Sequence, residues 1–203
     1  MSLIIRNELN SEERAVEELV RDSFWNVYRP GCLEHYVLHV MRSSPGFYKE
    51  LNFVMYLDDV LIGQVVFHKA ELKLKDGSTK EIATFGPIAI HNDYKRKKFG
   101  MILLAFALNK AKEQGIKALL MEGNYDFYSK LGFERAKDKS ILYYGSTVDF
   151  LLYKELEEGY LEDCEQANYM TPKVYYVDEK KAEDFDLSFK PMEKKKLDSQ
   201  IFK

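Results

Sequence analysis

One stretch of the 203-residue chain, Phe85 to Gly115 (FGPIAIHNDYKRKKFGMILLAFALNKAKEQG), limits the folds open to it more than any other. It reads as an apolar strand, a short basic loop and a long amphipathic helix. Ile88, Ala89 and Ile90 make the strand; Lys95, Arg96, Lys97 and Lys98 make the loop, which closes at Phe99-Gly100. Phe99, Ile102, Leu103, Phe106 and Ala107 then recur at helical spacing, and Gly115 suits the left-handed position after a helix end. A basic loop opening straight into a helix brings cations, unpaired first-turn N–H groups and the positive end of the helix dipole to one point. Gly100, lacking a Cβ, lets a bulky anion reach the backbone. The stretch therefore predicts a pyrophosphate site over residues 95–101, although four cations alone would favour a solvated turn before a surface helix. Neither G-x-x-x-x-G-K-[ST] nor G-x-G-x-x-G occurs, which removes the main support for a P-loop or a dinucleotide fold.

Upstream, Leu3 to Arg6 is a short strand candidate, and Asn10-Ser11-Glu12-Glu13 reads as a helix start with Asn10 as cap. Ala15, Val16, Leu19, Val20 and Phe24 give that helix one apolar face, and Arg29-Pro30-Gly31 breaks it. A second helix is predicted over Leu33 to Met41. It holds His35 and His39 on one face, but Tyr36 stands where H-E-x-x-H needs its glutamate and no third ligand is evident, so a structural or substrate-facing pair is expected and no metal. Strands follow at Leu51 to Leu57, Val60 to Leu74 and Lys80 to Ile90. The turns between them are Asp58-Asp59 and Lys75-Asp76-Gly77-Ser78, and Gly86-Pro87 marks a bulge or an edge in the third strand. Ile116 to Met121 reads as a buried strand and Val148 to Leu156 as a last one.

Two motifs carry a resemblance. The first is His91-Asn92-Asp93-Tyr94 followed by Lys95-Arg96-Lys97-Lys98-Phe99-Gly100; the second, at the right distance downstream, is Phe127-Tyr128-Ser129-Lys130-Leu131-Gly132-Phe133. Together they resemble the coenzyme loop and late signature of the GNAT superfamily of acyl-CoA N-acyltransferases, over residues 3 to about 155. Lys95 stands for the usual Gln or Arg, and Lys98 for the usual first glycine. The resemblance implies an α/β fold of α+β type: a mixed, mostly antiparallel central sheet with a splayed parallel strand pair and helices on both faces. It implies that acetyl-CoA is the acyl donor. The backbone of Ile88, Ala89 and Ile90 would take the pantetheine arm, and Lys95, Arg96, Lys97, Lys98, Phe99, Gly100 and Met101 the phosphates. It also implies that Tyr128 is the general acid near the coenzyme sulfur.

The residues themselves leave other roles open. A phenol near pKa 10 lies about 1.5 units above a thiol, so full proton transfer to a leaving thiolate is uphill by roughly 2 kcal/mol and a hydrogen bond alone still helps. Tyr125, three residues away, competes with Tyr128. Glu122, Glu81 and His68 lie on predicted strands and are base candidates, with a water chain as the alternative. Asn124 either donates to the coenzyme or caps the short helix after it, and His91 belongs to the turn.

Composition bounds the rest. Apolar residues make up 46% and charged residues 31%, as in globular proteins, and the net charge of −3 argues against nucleic acid as a partner. Cys32 and Cys164 show neither zinc spacing nor a disulfide framework, and no apolar run approaches a membrane span; a cytoplasmic protein is expected, monomeric or homodimeric. The domain is expected over 1–156, with 157–203 a charged extension that packs on it or frays. The expected activity is direct attack by an amine, of a small molecule or a protein, on acetyl-CoA in a ternary complex. The alternative is a non-catalytic acyl-CoA-binding sensor or subunit of the same fold.

Overall fold

Nine strands and five helices form along the chain in the computed structural model, which describes residues 2–201; Met1, Phe202 and Lys203, at the ends of the expected domain and extension, lie outside the described residues. In chain order the elements are β1 (Leu3–Asn7), α1 (Glu13–Phe24), α2 (Glu34–Met41), β2 (Phe53–Leu57), β3 (Val60–Lys73), β4 (Thr79–Ile90) and α3 (Phe99–Glu113). They are followed by β5 (Ala118–Glu122), α4 (Tyr125–Tyr128), β6 (Glu134–Arg135), β7 (Leu142–Tyr143), β8 (Leu151–Glu155), β9 (Asn168–Tyr169) and α5 (Glu179–Asp186). The sheet runs β1-β2-β3-β4-β5-β8-β6, with β9 beside β3 and β7. The β1–β2, β2–β3, β3–β9, β5–β8 and β6–β8 ladders are antiparallel; β4–β5, where Ala83 lies opposite Leu119, and the short β7–β9 pair are parallel. This is the mixed, mostly antiparallel sheet flanked by helices that the resemblance implies.

The chain divides into two units. One holds the chain up to Val66, Gly86–Leu104 and the chain from Lys173 on; the other holds Phe67–Phe85 and Ala105–Pro172. In the first, strand alternation sorts the helices. Val54, Val66 and Ala89 are buried with Val16 and Val20 of α1 and Val37, Leu38 and Met41 of α2. Gly63, an odd number of residues from Val66, faces the other way. A Cβ there would stand 2.8 Å from Ile90 and 3.2 Å from Leu103 of α3, so the start of α3 occupies the opposite face. In the second unit Ala118 and Leu120 of β5 share a cluster with Leu72, Tyr153 and Tyr169, and α3 ends in a Schellman motif. There the Ile116 N–H meets the Ala111 carbonyl, and Gly115, left-handed at φ 81°, donates to Lys112.

Two local expectations shift. The cap expected at Asn10 falls one residue earlier, at Leu9: a 3-10 turn, Asn10–Glu12, leads into α1, and Glu12 rather than Glu13 accepts the Leu9 N–H at 2.9 Å. Arg6 of β1 holds that carboxylate through both nitrogens, at 2.6 and 2.7 Å, which sets the register of the cap. Strand β4 is continuous through Gly86-Pro87, where the chain was expected to be interrupted. The stretch after Gly159, left open between packing and fraying, carries a strand and a helix: β9 pairs with β3, and α5 is capped by Asp178 on the Lys181 N–H.

Helix α5 docks through buried charge. Arg21 of α1 is 3% exposed and its Nε lies 2.6 Å from Asp186. His35, fully buried, has Nε2 at 3.3 Å from the same carboxylate and Nδ1 at 3.4 Å from the Cys32 thiol, with Phe185 and Phe189 against its ring. His39 lies 2.9 Å from Glu17 instead, so the two histidines have separate partners, and among the described residues no group of three or more His, Cys, Asp or Glu could hold a metal. Both cysteines are buried free thiols. Burial, with Arg21 and Arg14 nearby, lowers the His35 pKa to about 4 against the pull of Asp186. The unfolded chain takes that proton near pH 6.5, so this site's contribution to stability is present above pH 6.5 and is lost as pH falls towards about 4. Chemical denaturation of wild type and His35→Gln across pH 7 to 4 is expected to show wild type losing more stability over that window; parallel curves would contradict the assignment.

Candidate active site

In the first unit the site is built on the end of a helix. The last carbonyls of α1 have no intrahelical partner. Arg21 and Phe24 receive the Trp25 and Val27 N–H groups at 2.9 and 3.0 Å. Asp22 receives the Asn92 side-chain amide at 3.0 Å, and Ser23 the Lys95 ammonium at 2.8 Å. Ser23 in turn donates its hydroxyl to the Ile90 carbonyl at 3.0 Å. Residues 90–95 are thus stapled to α1, with a cation at the negative end of its dipole. Lys95, expected on the phosphates, spends its charge here, and burial lowers its pKa. His91 accepts the Asp93 N–H at 3.3 Å and stays in the turn, as expected.

The next residues turn sharply. Arg96 and Lys98 are left-handed, at φ 62° and 69°. For a residue with a Cβ this costs roughly 1–2 kcal/mol, and the loop adopts it all the same. Lys98 therefore takes up the backbone shape for which glycine is usual. Left-handed residues in such a turn curl successive N–H groups to one side, the backbone pattern of an anion nest. The first intrahelical bond of α3 runs from Ile102 N–H to the Lys98 carbonyl, so the N–H groups of Phe99, Gly100 and Met101 precede the ladder. Lys97 lies over the Tyr94 ring at 5.4 Å, and Tyr94 meets Phe99 edge-on at 6.0 Å. At the other end of the segment Tyr175 donates to the Gly86 carbonyl at 3.0 Å, just ahead of Ile88, Ala89 and Ile90. No sequence signal pointed to Tyr175; it reaches β4 from 89 residues away.

In the second unit the site is the end of β5. Asn124 takes the capping role: its Oδ1 accepts the Phe127 N–H at 3.2 Å and starts α4. The last residue of α4, Tyr128, lies over Gly123. A Cβ on Gly123 would stand 2.5 Å from the Tyr128 ring and 2.9 Å from Met121. Phe85, Phe127 and Phe133 meet the same ring edge-on at 5.9, 4.9 and 5.7 Å. Tyr125, the competitor, has the Arg135 guanidinium over its face at 3.7 Å. Glu122 alternates with Met121 and Gly123 and so points to the other side of the strand, the side of Ala118 and Leu120. It is exposed there and accepts the Thr171 hydroxyl at 2.5 Å.

The structure does not bring Glu81 to this end. With Ala83 level with Leu119, Glu81 is level with residue 117, some five residues or about 16 Å along the strands from Glu122. It is exposed, and its carbonyl takes the Tyr160 hydroxyl at 2.8 Å. His68 is buried on β3, with Nδ1 2.6 Å from the Lys69 carbonyl and its pKa lowered by burial. Gly123 is the residue that reading by motif passed over: it stands between a strand and a helix cap and looks like an ordinary turn glycine. Gly123→Ala is expected to displace the Tyr128 ring and cost about 1–3 kcal/mol of stability in urea denaturation; an unchanged midpoint would contradict the packing.

The model of the acetyltransferase (GNAT) family matches residues 15–133, more than half of the chain, and the chain belongs to that family. In fold it is similar to the E. coli GNAT family N-acetyltransferase YhbS solved in complex with CoA, at TM-score 0.74 and 20% identity over 86% of this chain and 92% of that one. A GNAT family acetyltransferase from Brucella melitensis, solved with acetyl-CoA, gives TM-score 0.68 and 15% identity over 86% and 98%. The ribosomal-protein-S18-alanine N-acetyltransferase of E. coli gives 0.54 and 15% over 78% and 96%. No curated relative matches the sequence. No helix among the described residues is long and apolar enough to cross a membrane.

Proposed function

We propose that this chain is an N-acetyltransferase that moves an acetyl group from acetyl-CoA to a primary amine in a ternary complex. The observation that carries the reading is the turn at Arg96–Lys98, left-handed at two positions and opening into the first-turn amides of α3, in a chain of this family. That turn would hold the pyrophosphate through the N–H groups of Phe99, Gly100 and Met101, with the charges of Arg96, Lys97 and Lys98 around it and Lys95 keeping the loop on α1. The backbone of Ile88, Ala89 and Ile90 would take the pantetheine amides, with Tyr175 holding the carbonyl ahead of them.

The chemistry then needs a neutral amine and a protonated leaving group. The amine arrives as an ammonium and gives one proton to a base. Its lone pair attacks the thioester carbonyl, forming the C–N bond. When the C–S bond breaks, the sulfur takes the sulfur–carbon electron pair and receives a proton, by way of Tyr128, that balances the second N–H proton the amine loses. One proton goes to solvent per turnover. Glu122 is the base candidate that its place supports, at the end of β5 on the face away from Tyr128; Glu81 lies too far along its strand.

Thiol release from acetyl-CoA, followed with a panel of primary amines, tests the reading. Tyr128→Phe is expected to lower kcat on the order of 10²-fold while leaving coenzyme affinity within about twofold. Unchanged kcat at saturating substrates would remove Tyr128 from the mechanism, and no amine-dependent thiol release from wild type would remove the activity.

A further inference from the structure

The second unit carries a group of side chains that the coenzyme reading leaves unused. Glu122 accepts the Thr171 hydroxyl at 2.5 Å, and Thr171 Oγ1 lies 3.3 Å from the Tyr143 hydroxyl. The Tyr143 ring is met edge-on by Phe150 at 5.3 Å and by Tyr144 at 4.8 Å. Phe150 is bound to the same strand end, since its carbonyl accepts the Gly123 N–H at 2.9 Å. Phe150 is 45% exposed, Tyr144 48% and Met170, next to Thr171, 47%. Large apolar side chains exposed singly need no explanation, but three tied to one exposed carboxylate through Thr171, Tyr143 and the Gly123–Phe150 bond do.

The chemistry of the group is selective. Thr171 takes Glu122 Oε1 and fixes the carboxylate, which lowers the entropy lost when something binds to its second oxygen. Aromatic faces attract cations, and a carboxylate accepts their N–H groups. An anion would meet Glu122 unfavourably, and a neutral alcohol would forgo both the charge and the cation–π contribution. The nearby guanidinium, Arg135, is already over Tyr125.

We infer that Glu122, Thr171, Tyr143, Tyr144, Phe150 and Met170 form the acceptor subsite, and that its ligand is a cationic primary amine on an apolar stem. The inference rests on the acetyltransferase reading and narrows its acceptor class. The same carboxylate that receives the ammonium stands where the base is needed. The stem lies along Phe150, Tyr144 and Met170. A free small amine and the N-terminus of a peptide with an apolar first residue share this chemistry.

Ligand-observed NMR titration of the full chain, with and without CoA, tests it. The probes are 2-phenylethylammonium, its neutral isostere 2-phenylethanol, and the peptide amide Phe-Ala-Ala-Ala with a free N-terminus. Wild type is expected to bind at least one of the two cationic probes at least tenfold more tightly than the alcohol; whichever cationic probe binds more tightly identifies the source. Glu122→Gln is expected to erase the preference, and Phe150→Ala to weaken cation and alcohol alike. Neither cationic probe exceeding the alcohol tenfold in wild type, or an undiminished preference in a folded Glu122→Gln, would overturn the inference. If that happened with CoA binding intact, the acetyltransferase reading would stand. Amine selectivity in a protein that does not bind CoA would instead sink the acetyltransferase reading and keep the cation site.

Discussion

The end of α1 governs how the basic loop of this protein is held. A helix that stops leaves carbonyls that water or protein must satisfy, and here two of them, Asp22 and Ser23, are satisfied by Asn92 and Lys95 of the basic loop. The dipole of α1 makes Lys95 the better partner for being charged. The loop is thereby held on both sides: to α1 by these bonds and to β4 by Ser23 on the Ile90 carbonyl. Only with residues 90–95 anchored can Arg96 and Lys98 be driven into left-handed conformations that their Cβ atoms resist. One cation of the four, Lys95, anchors the loop from which the other three turn away.

The second unit places a phenol and a carboxylate at one strand end. Alternation along β5 sends Met121 and Gly123 to one face and Glu122 to the other. The absence of a side chain at Gly123 admits the Tyr128 ring on its face, where Phe85, Phe127 and Phe133 hold it. On the opposite face Thr171, brought in from β9's end, fixes Glu122. A phenol and a carboxylate are kept apart by the thickness of one strand.

What could be read from the residues follows from range in sequence. The strand–loop–helix of Phe85 to Gly115 and the Phe127 to Phe133 signature are local patterns, and both were legible with their elements. The left-handed backbone at Lys98 was legible as a question, because only the structure shows that lysine takes the turn. Lys95 was misleading for a physical reason: a run of four cations does not say which one a helix C-terminus will claim. Thr171, Tyr143 and Tyr175 were invisible because each acts through a contact 28 or more residues away. The charge of the tail left open whether it packs or frays, because the sequence does not show that Ala182, Phe185, Asp186 and Phe189 meet Arg21 and His35. Glu81 looked like a site residue because a strand's sequence does not show which of its ends carries the chemistry.

The central claim is that the turn at residues 95–101 is a pyrophosphate cradle, and the most direct measurement is calorimetric titration of the full chain with CoA and with pantetheine, which lacks the pyrophosphate. The account predicts that CoA binds at least a hundredfold more tightly and that the difference shrinks as salt is raised. Equal affinity for the two, or no dependence on salt, would contradict it.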